Sequence, residues 1–209
     1  MQKIKYDTNL YNFKKELENL FNVEALENIN EQHDIFKREN DQNTAYHTMF
    51  YKWARTNEFI SMYEALIKNE VQQLYNGEIV YQAIPSFRIC LPNNVAVGEY
   101  HKDKKYRDED WARKVKEHNF FLPFTDAFDT NTIWVESEED KGDFKPMQCM
   151  YGECIQWDGS NLTHGNELNI TGKTRVSMDF RVMLASNYLP SKGGSINTKT
   201  LFAKGGYYK

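Results

Sequence analysis

A chain of 209 residues, 40% of them hydrophobic, is long enough for one domain with a substantial core. Its 26 basic and 30 acidic residues leave a net charge of −4, which excludes a strongly basic nucleic-acid binder. No apolar run approaches the roughly 18 residues of a membrane span, and Met1–Lys5 is not followed by the apolar stretch of a secretory leader, so the expected location is cytoplasmic. The three cysteines, Cys90, Cys149 and Cys154, are an odd number and are expected as free thiols; Cys149 and Cys154 lack the second pair that a zinc site needs.

Residues 8–21 read as a helix, with Thr8 as N-cap and Leu10, Phe13, Leu17, Leu20 and Phe21 at three- and four-residue spacings. A polar stretch follows over 22–43, with a weaker helical pattern at 32–38. The strongest helical period runs from Thr44 to Asn76 through Met49, Trp53, Ile60, Tyr63, Ile67, Val71 and Leu74, with a break expected near Arg55–Asn57. His33 and His47 fall in this part and read as surface or boundary residues. At Gly77 the period shifts to two. Strands are predicted at 78–83, 86–91, 95–103, 119–125, 131–137, 154–158, 160–165 and 173–185, separated by turn signals such as Pro92-Asn93-Asn94 and Asp158-Gly159-Ser160. Helices followed by many short strands predict a mainly β domain, a jelly roll covered on one face by helices. The division is a helical cover over 1–76, a β core over 77–185 and a tail over 186–209. Two long irregular stretches, 102–118 and 136–148, read either as solvated loops or as lids over a site.

The chemistry-bearing residues lie in the β part. His101 and Asp103 are two apart, so on a strand they point to one side. With His164 from another strand they make two imidazoles and one carboxylate, the set that occupies one face of an octahedral Fe(II) and leaves other positions open. Eleven residues past His164, the strand around Arg175 places Arg175, Ser177, Asp179 and Arg181 on one face and Val176, Met178, Phe180 and Val182 on the other. The apolar face calls for a cover, which the helical stripe of 44–76 supplies. On the polar face the fork of Arg175 suits a carboxylate. Arg181, about 20 Å further along by strand rise, reads as structural, paired with an acid at the rim.

His101-x-Asp103, His164 and Arg175 in this order resemble the Fe(II)/2-oxoglutarate-dependent dioxygenases of the phytanoyl-CoA hydroxylase-like superfamily. The run from Pro85-Ser86-Phe87-Arg88 to Thr174–Arg181, above all His164-Gly165-Asn166 and Asn169-Ile170-Thr171-Gly172, is similar to the dioxygenase-like proteins of streptomycin biosynthesis clusters. The resemblance spans roughly residues 80–190. It implies a double-stranded β-helix, Fe(II) on His101, Asp103 and His164, and 2-oxoglutarate as cosubstrate with its 5-carboxylate at Arg175. It places Ser177, Asn166, Asn119 and Gln82 near that cosubstrate, and O2 as co-reactant. Because Asp103 is present, where halogenases of the superfamily carry Gly or Ala, hydroxylation, desaturation or ring closure is implied rather than halogenation.

Arg88, Trp134 and Glu136 are candidates for substrate contact, with an ion pair for Arg88 and core or rim positions for Trp134 and Glu136 as the alternatives. The mixture of polar and aromatic residues suits a small polar molecule such as an amino-sugar, an aminocyclitol or an amino acid. The competing function is a non-catalytic jelly-roll module that binds a ligand. A cupin of other chemistry would commonly use more histidines than this β region offers. Oligomeric state leaves no trace in the sequence.

Overall fold

The computed structural model describes residues 1–31, 43–96, 99–195 and 199–209; the helical pattern expected at 32–38 and His33 fall outside them. The architecture is mainly β, with helices on one side. A large antiparallel sheet has the order β1-β7-β4-β9-β2, where β1 is Gln2–Lys5, β2 Ile79–Tyr81, β4 His118–Pro123, β7 Glu153–Trp157 and β9 Arg175–Leu184. The strand β3, Ser86–Cys90, also pairs with β9. A smaller sheet has the order β6-β5-β8, with β5 Ile133–Val135, β6 Lys145–Pro146 and β8 His164–Asn166.

The two faces of β9 organise the layers. Val176, Met178, Phe180 and Val182 point outward from the large sheet and are fully buried under the helices, α1 (Phe13–Phe21), α2 (Ala45–Trp53) and α3 (Asn57–Leu66). Phe180 stacks on Phe120 of β4 at 5.1 Å, and Tyr63 of α3 meets it edge-on at 5.5 Å. Burial of each such side chain is worth about 1.5–3 kcal/mol, so this interface carries much of the stability. The inner face meets the small sheet through Phe121, Val135, Met147, Ile155 and Trp157.

The long helical pattern breaks where expected. Thr44 caps α2 by accepting from the His47 N–H, and Thr56, in extended conformation, caps α3 by accepting from Phe59. Other expectations are revised. α1 starts at Phe13, because the Asp7 carboxylate accepts from the Asn9 N–H at 2.8 Å and holds residues 7–10 in a turn. The first residues form β1, an edge strand whose lysines hid it among polar sequence. Residues 102–118 contain a short helix, α4 (Glu109–Lys114), capped by Asp108. Described residues of 95–103 are not a strand: His101 makes a single bridge to His164, and a 3-10 turn begins at Asp103. At the C-terminus, backbone hydrogen bonds tie Tyr207 and Lys209 to Ala83 and Tyr81.

His47 is buried rather than at a boundary. Its ring packs edge-on against Phe87 at 5.2 Å and its Nδ1 lies 2.7 Å from Thr44 Oγ1. Burial, aided by Arg88, pushes its pKa down to about 4. An unfolded chain takes up this proton near pH 6.5, so the contribution of neutral His47 is full above that pH and is lost as pH falls toward 4. Urea unfolding across this range is expected to show a steeper loss of stability on acidification for the wild type than for His47→Phe; equal slopes would refute a buried neutral imidazole.

Candidate metal centre

His101, Asp103 and His164 converge, with one ligand atom from each lying within 4.8 Å of the others. Asp103 Oδ1 is 3.4 Å from His101 Nε2 and 3.7 Å from His164 Nε2. The Nδ1 atoms sit against backbone carbonyls, His101 at 2.7 Å from Glu99 O and His164 at 2.9 Å from Leu162 O. Each Nδ1–H therefore donates outward and each Nε2 offers its lone pair inward, the orientation that metal-binding imidazoles need. Burial lowers the pKa of His164 against the pull of Asp103, which keeps it neutral. Burial acts to raise the Asp103 carboxyl, but the Arg181 guanidinium outweighs it and holds the group well below the usual carboxylate range.

The convergence has a local cause. His101 and His164 exchange both backbone hydrogen bonds at 2.9 Å, and the Asp103 N–H donates to Gly159 O at 2.9 Å. The segment holding His101 and Asp103 is thus moored on the loop and strand that carry His164. Gly165 lies between His164 and Asn166 because a Cβ there would meet the Tyr100 ring at 2.9 Å. Trp157 of β7 presses edge-on against His164 at 4.7 Å, and Tyr106, half exposed, against His101 at 5.5 Å.

The other candidates separate into groups. Arg175 and Ser177 share the inner face of β9, with Arg175 Nη1 donating to Ser177 Oγ at 3.1 Å. Arg175 is 1% exposed, its Nε has no partner, and among the described residues no acid pairs with it. Its guanidinium lies 5.7 Å over the ring of Phe121, a residue registered opposite Asp179, so the side chain leans along the strand toward the end that carries the triad. Asn119 faces the same interior and donates from Nδ2 to Asp103 Oδ2 at 2.7 Å. Asn166 donates to Thr132 O at 3.0 Å. Gln82 is fully buried and engaged with the tail: Tyr207 Oη donates to its Oε1 at 2.8 Å, and its Nε2 donates to Ile84 O. Arg88 stands opposite Ser177 and pairs with Asp179 at 3.2 Å.

For Trp134 and Glu136 the structure favours the core and rim alternatives over substrate contact. Val135 is registered opposite His164 and packs between the sheets, so Trp134 points to the far face, where its Nε1 donates to Asp129 O at 3.0 Å. Glu136 accepts from the backbone N–H groups of Thr163 at 2.6 Å and Gly142 at 3.2 Å; these bonds, against burial, bring its pKa to about 2 and anchor the loop that follows. Arg181 is ion-paired, as expected, but not with an acid apart from the site. Its acid is Asp103 itself, with Nη2 at 2.7 Å from Oδ2, and Asp179 beside it. The shared face of 175, 179 and 181 was the available signal; the reach of the guanidinium was not.

Comparison with known proteins places this chain. It is 34% identical over 209 residues to the streptomycin biosynthesis protein StrG of Streptomyces griseus, covering 99% of this chain and 96% of StrG. The chain belongs to the StrG family. No family model matches it. The fold is shared with SnoK, a non-heme alpha-ketoglutarate-dependent carbocyclase from nogalamycin biosynthesis, at 12% identity and TM-score 0.54 over 91% of this chain and 80% of SnoK. It is shared also with CytC3, solved with Fe(II) and alpha-ketoglutarate, at 12% identity and TM-score 0.53 over 88% of this chain and 72% of CytC3. No helix of the described residues is long and apolar enough to cross a membrane.

Gly165, between His164 and Asn166, supplies a test. Gly165→Ala is expected to push Tyr100 aside and part His164 from His101. Anaerobic calorimetry with Fe(II) is expected to read an affinity about tenfold or more below wild type; an unchanged affinity would mean that the Tyr100 contact does not set the imidazole.

Proposed function

We propose that this protein is an Fe(II)/2-oxoglutarate-dependent oxygenase built on a double-stranded β-helix. One observation carries the reading: a buried guanidinium that meets no acid among the described residues, Arg175, leans along the inner face of β9 toward two imidazoles and a carboxylate that converge on one point. A buried charge lacking a counter-charge is costly, and a dicarboxylic 2-oxo acid fits the deficit. His101 Nε2, Asp103 Oδ1 and His164 Nε2 would hold the ion, and Arg175 with Ser177 would hold the distal carboxylate of the cosubstrate.

When bound, Fe(II) and 2-oxoglutarate supply the oxidising chemistry: O2 is reduced, the 2-oxo acid becomes succinate and CO2, and one oxygen atom enters a substrate C–H bond. The chain's own residues bind and orient. The Nδ1 bonds of both histidines fix which nitrogen faces the ion. The apolar side chains between the sheets, Phe121, Ile155 and Trp157, exclude water from the region around it. Arg88, held half-buried beside Asp179 and opposite Ser177, remains the candidate for substrate contact.

The substrate is a small polar metabolite of amino-sugar, aminocyclitol or amino-acid type. Kinship with a protein of streptomycin biosynthesis supports this reading, as do the charged side chains of Arg88, Asp179 and Arg181 beside the triad.

Adding Fe(II) and 2-oxoglutarate without oxygen is expected to give a weak visible charge-transfer band. In Arg175→Ala the Fe(II) affinity is expected to persist while 2-oxoglutarate binds on the order of 100-fold more weakly. With air admitted, succinate release should rise with one member of a panel of polar metabolites. A folded wild type with neither band nor succinate would defeat the proposal.

A further inference from the structure

We propose that Arg181 and Asn119, with Arg181 held by Asp179, are positioning residues that restrict Asp103 to binding the metal through one oxygen. This rests on the reading of the triad as a metal centre, but none of the three residues belongs to the set that defines it.

The two oxygens of Asp103 have different surroundings. Oδ2 receives Asn119 Nδ2 at 2.7 Å and Arg181 Nη2 at 2.7 Å, whereas Oδ1 faces the two Nε2 atoms. These distances are those of strong, charge-assisted bonds. With Oδ2 tied, only Oδ1 is free to coordinate. The consequence lies in the number of positions. Two imidazoles and a carboxylate bound through both oxygens would occupy four of six octahedral sites and leave two. A cosubstrate that chelates through two atoms, together with O2, needs three. Restricting Asp103 to one oxygen preserves the third.

The restraint is itself restrained. Arg181, with a side chain only 12% exposed, also pairs with Asp179, and Asp179 pairs with Arg88 at 3.2 Å. Basic and acidic groups thus alternate from Arg88 through Asp179 and Arg181 to Asp103. Removing one member of such a buried series leaves its neighbour uncompensated, so the series favours a single arrangement. Asn119 is fixed from the other side. A Cβ at Gly159 would lie 2.5 Å from its Nδ2, so the loop passes in direct contact with the amide. The same glycine's carbonyl accepts from the Asp103 N–H at 2.9 Å. Asn119, Arg181 and Trp157 are registered side by side across β4, β9 and β7, so one rung of the large sheet supports both Asp103 and His164.

The test uses the full chain without oxygen. Fe(II) affinity is read by calorimetry, and the Fe(II)–2-oxoglutarate charge-transfer band by its position and intensity, for wild type, Arg181→Met, Arg181→Lys and Asn119→Ala. Arg181→Met is expected to weaken Fe(II) binding about 10- to 100-fold and to shift or weaken the band, with Arg181→Lys restoring part of both. Asn119→Ala removes one donor without stranding a charge. It is expected to change both readouts in the same direction by less, and it decides the matter if Arg181→Met does not fold. Variants that fold with wild-type affinity and band overturn the proposal while leaving the metal centre intact. A wild type that binds no Fe(II) overturns the metal centre itself.

Discussion

Asp103 is asked to do two things, and its two oxygens do them separately. One oxygen looks into the space where the imidazole nitrogens meet; the other is bonded to an amide and a guanidinium on the large sheet. Everything else in the fold can be read as what this division requires. His101 and Asp103 lie on an irregular segment, which alone would hold neither in place. Backbone bonds to His164 and Gly159 moor the segment on one side, and the side chains of Asn119 and Arg181 moor it on the other. The two imidazoles and the carboxylate are therefore fixed by both sheets at once.

One strand serves two incompatible environments. The outer face of β9 is apolar and lies under the helices, while its inner face carries Arg175, Ser177, Asp179 and Arg181. Buried charges are costly, and pairs among them repay that cost only with good geometry. The outer face supplies the compensating hydrophobic burial. The exposed pairs beside the triad are of a different order. Lys102 bonds Asp140 at 2.6 Å and Lys104 bonds Glu139 at 2.7 Å, but their acids are largely solvated, and such pairs are worth about 0–1 kcal/mol. The loop of residues 137–143 therefore rests on the Glu136 anchor more than on its lysine contacts.

The site was legible where chemistry is written into spacing. That His101, Asp103 and His164 come together and that Arg175 shares a face with Ser177 could be read from residue type, order and alternation, and the helical cover from the alternation of 176–182. What stayed hidden depends on register and reach. Trp134 and Glu136 stayed open between cavity, core and rim because alternation gives two faces without saying which is inner; only the pairing of Val135 with His164 decides. Arg181 lies six residues from Arg175, yet its side chain bends to an acid remote in sequence. Gln82 has the polarity of a ligand-binding residue, but Tyr207, from the far end of the chain, occupies it. The strand expected at 95–103 fails because His101 and Asp103 are held by hydrogen bonds from other segments rather than by a regular ladder.

The central claim is that the three side chains take one ion with Asp103 bound through a single oxygen, in front of a guanidinium reserved for a carboxylate. An anaerobic crystal structure with Fe(II) and 2-oxoglutarate, with the metal located by anomalous scattering at the iron edge, measures this directly. The account predicts iron on His101 Nε2, Asp103 Oδ1 and His164 Nε2, with the distal carboxylate of the cosubstrate at Arg175. Iron held elsewhere, or a cosubstrate that leaves Arg175 without a carboxylate, would contradict it.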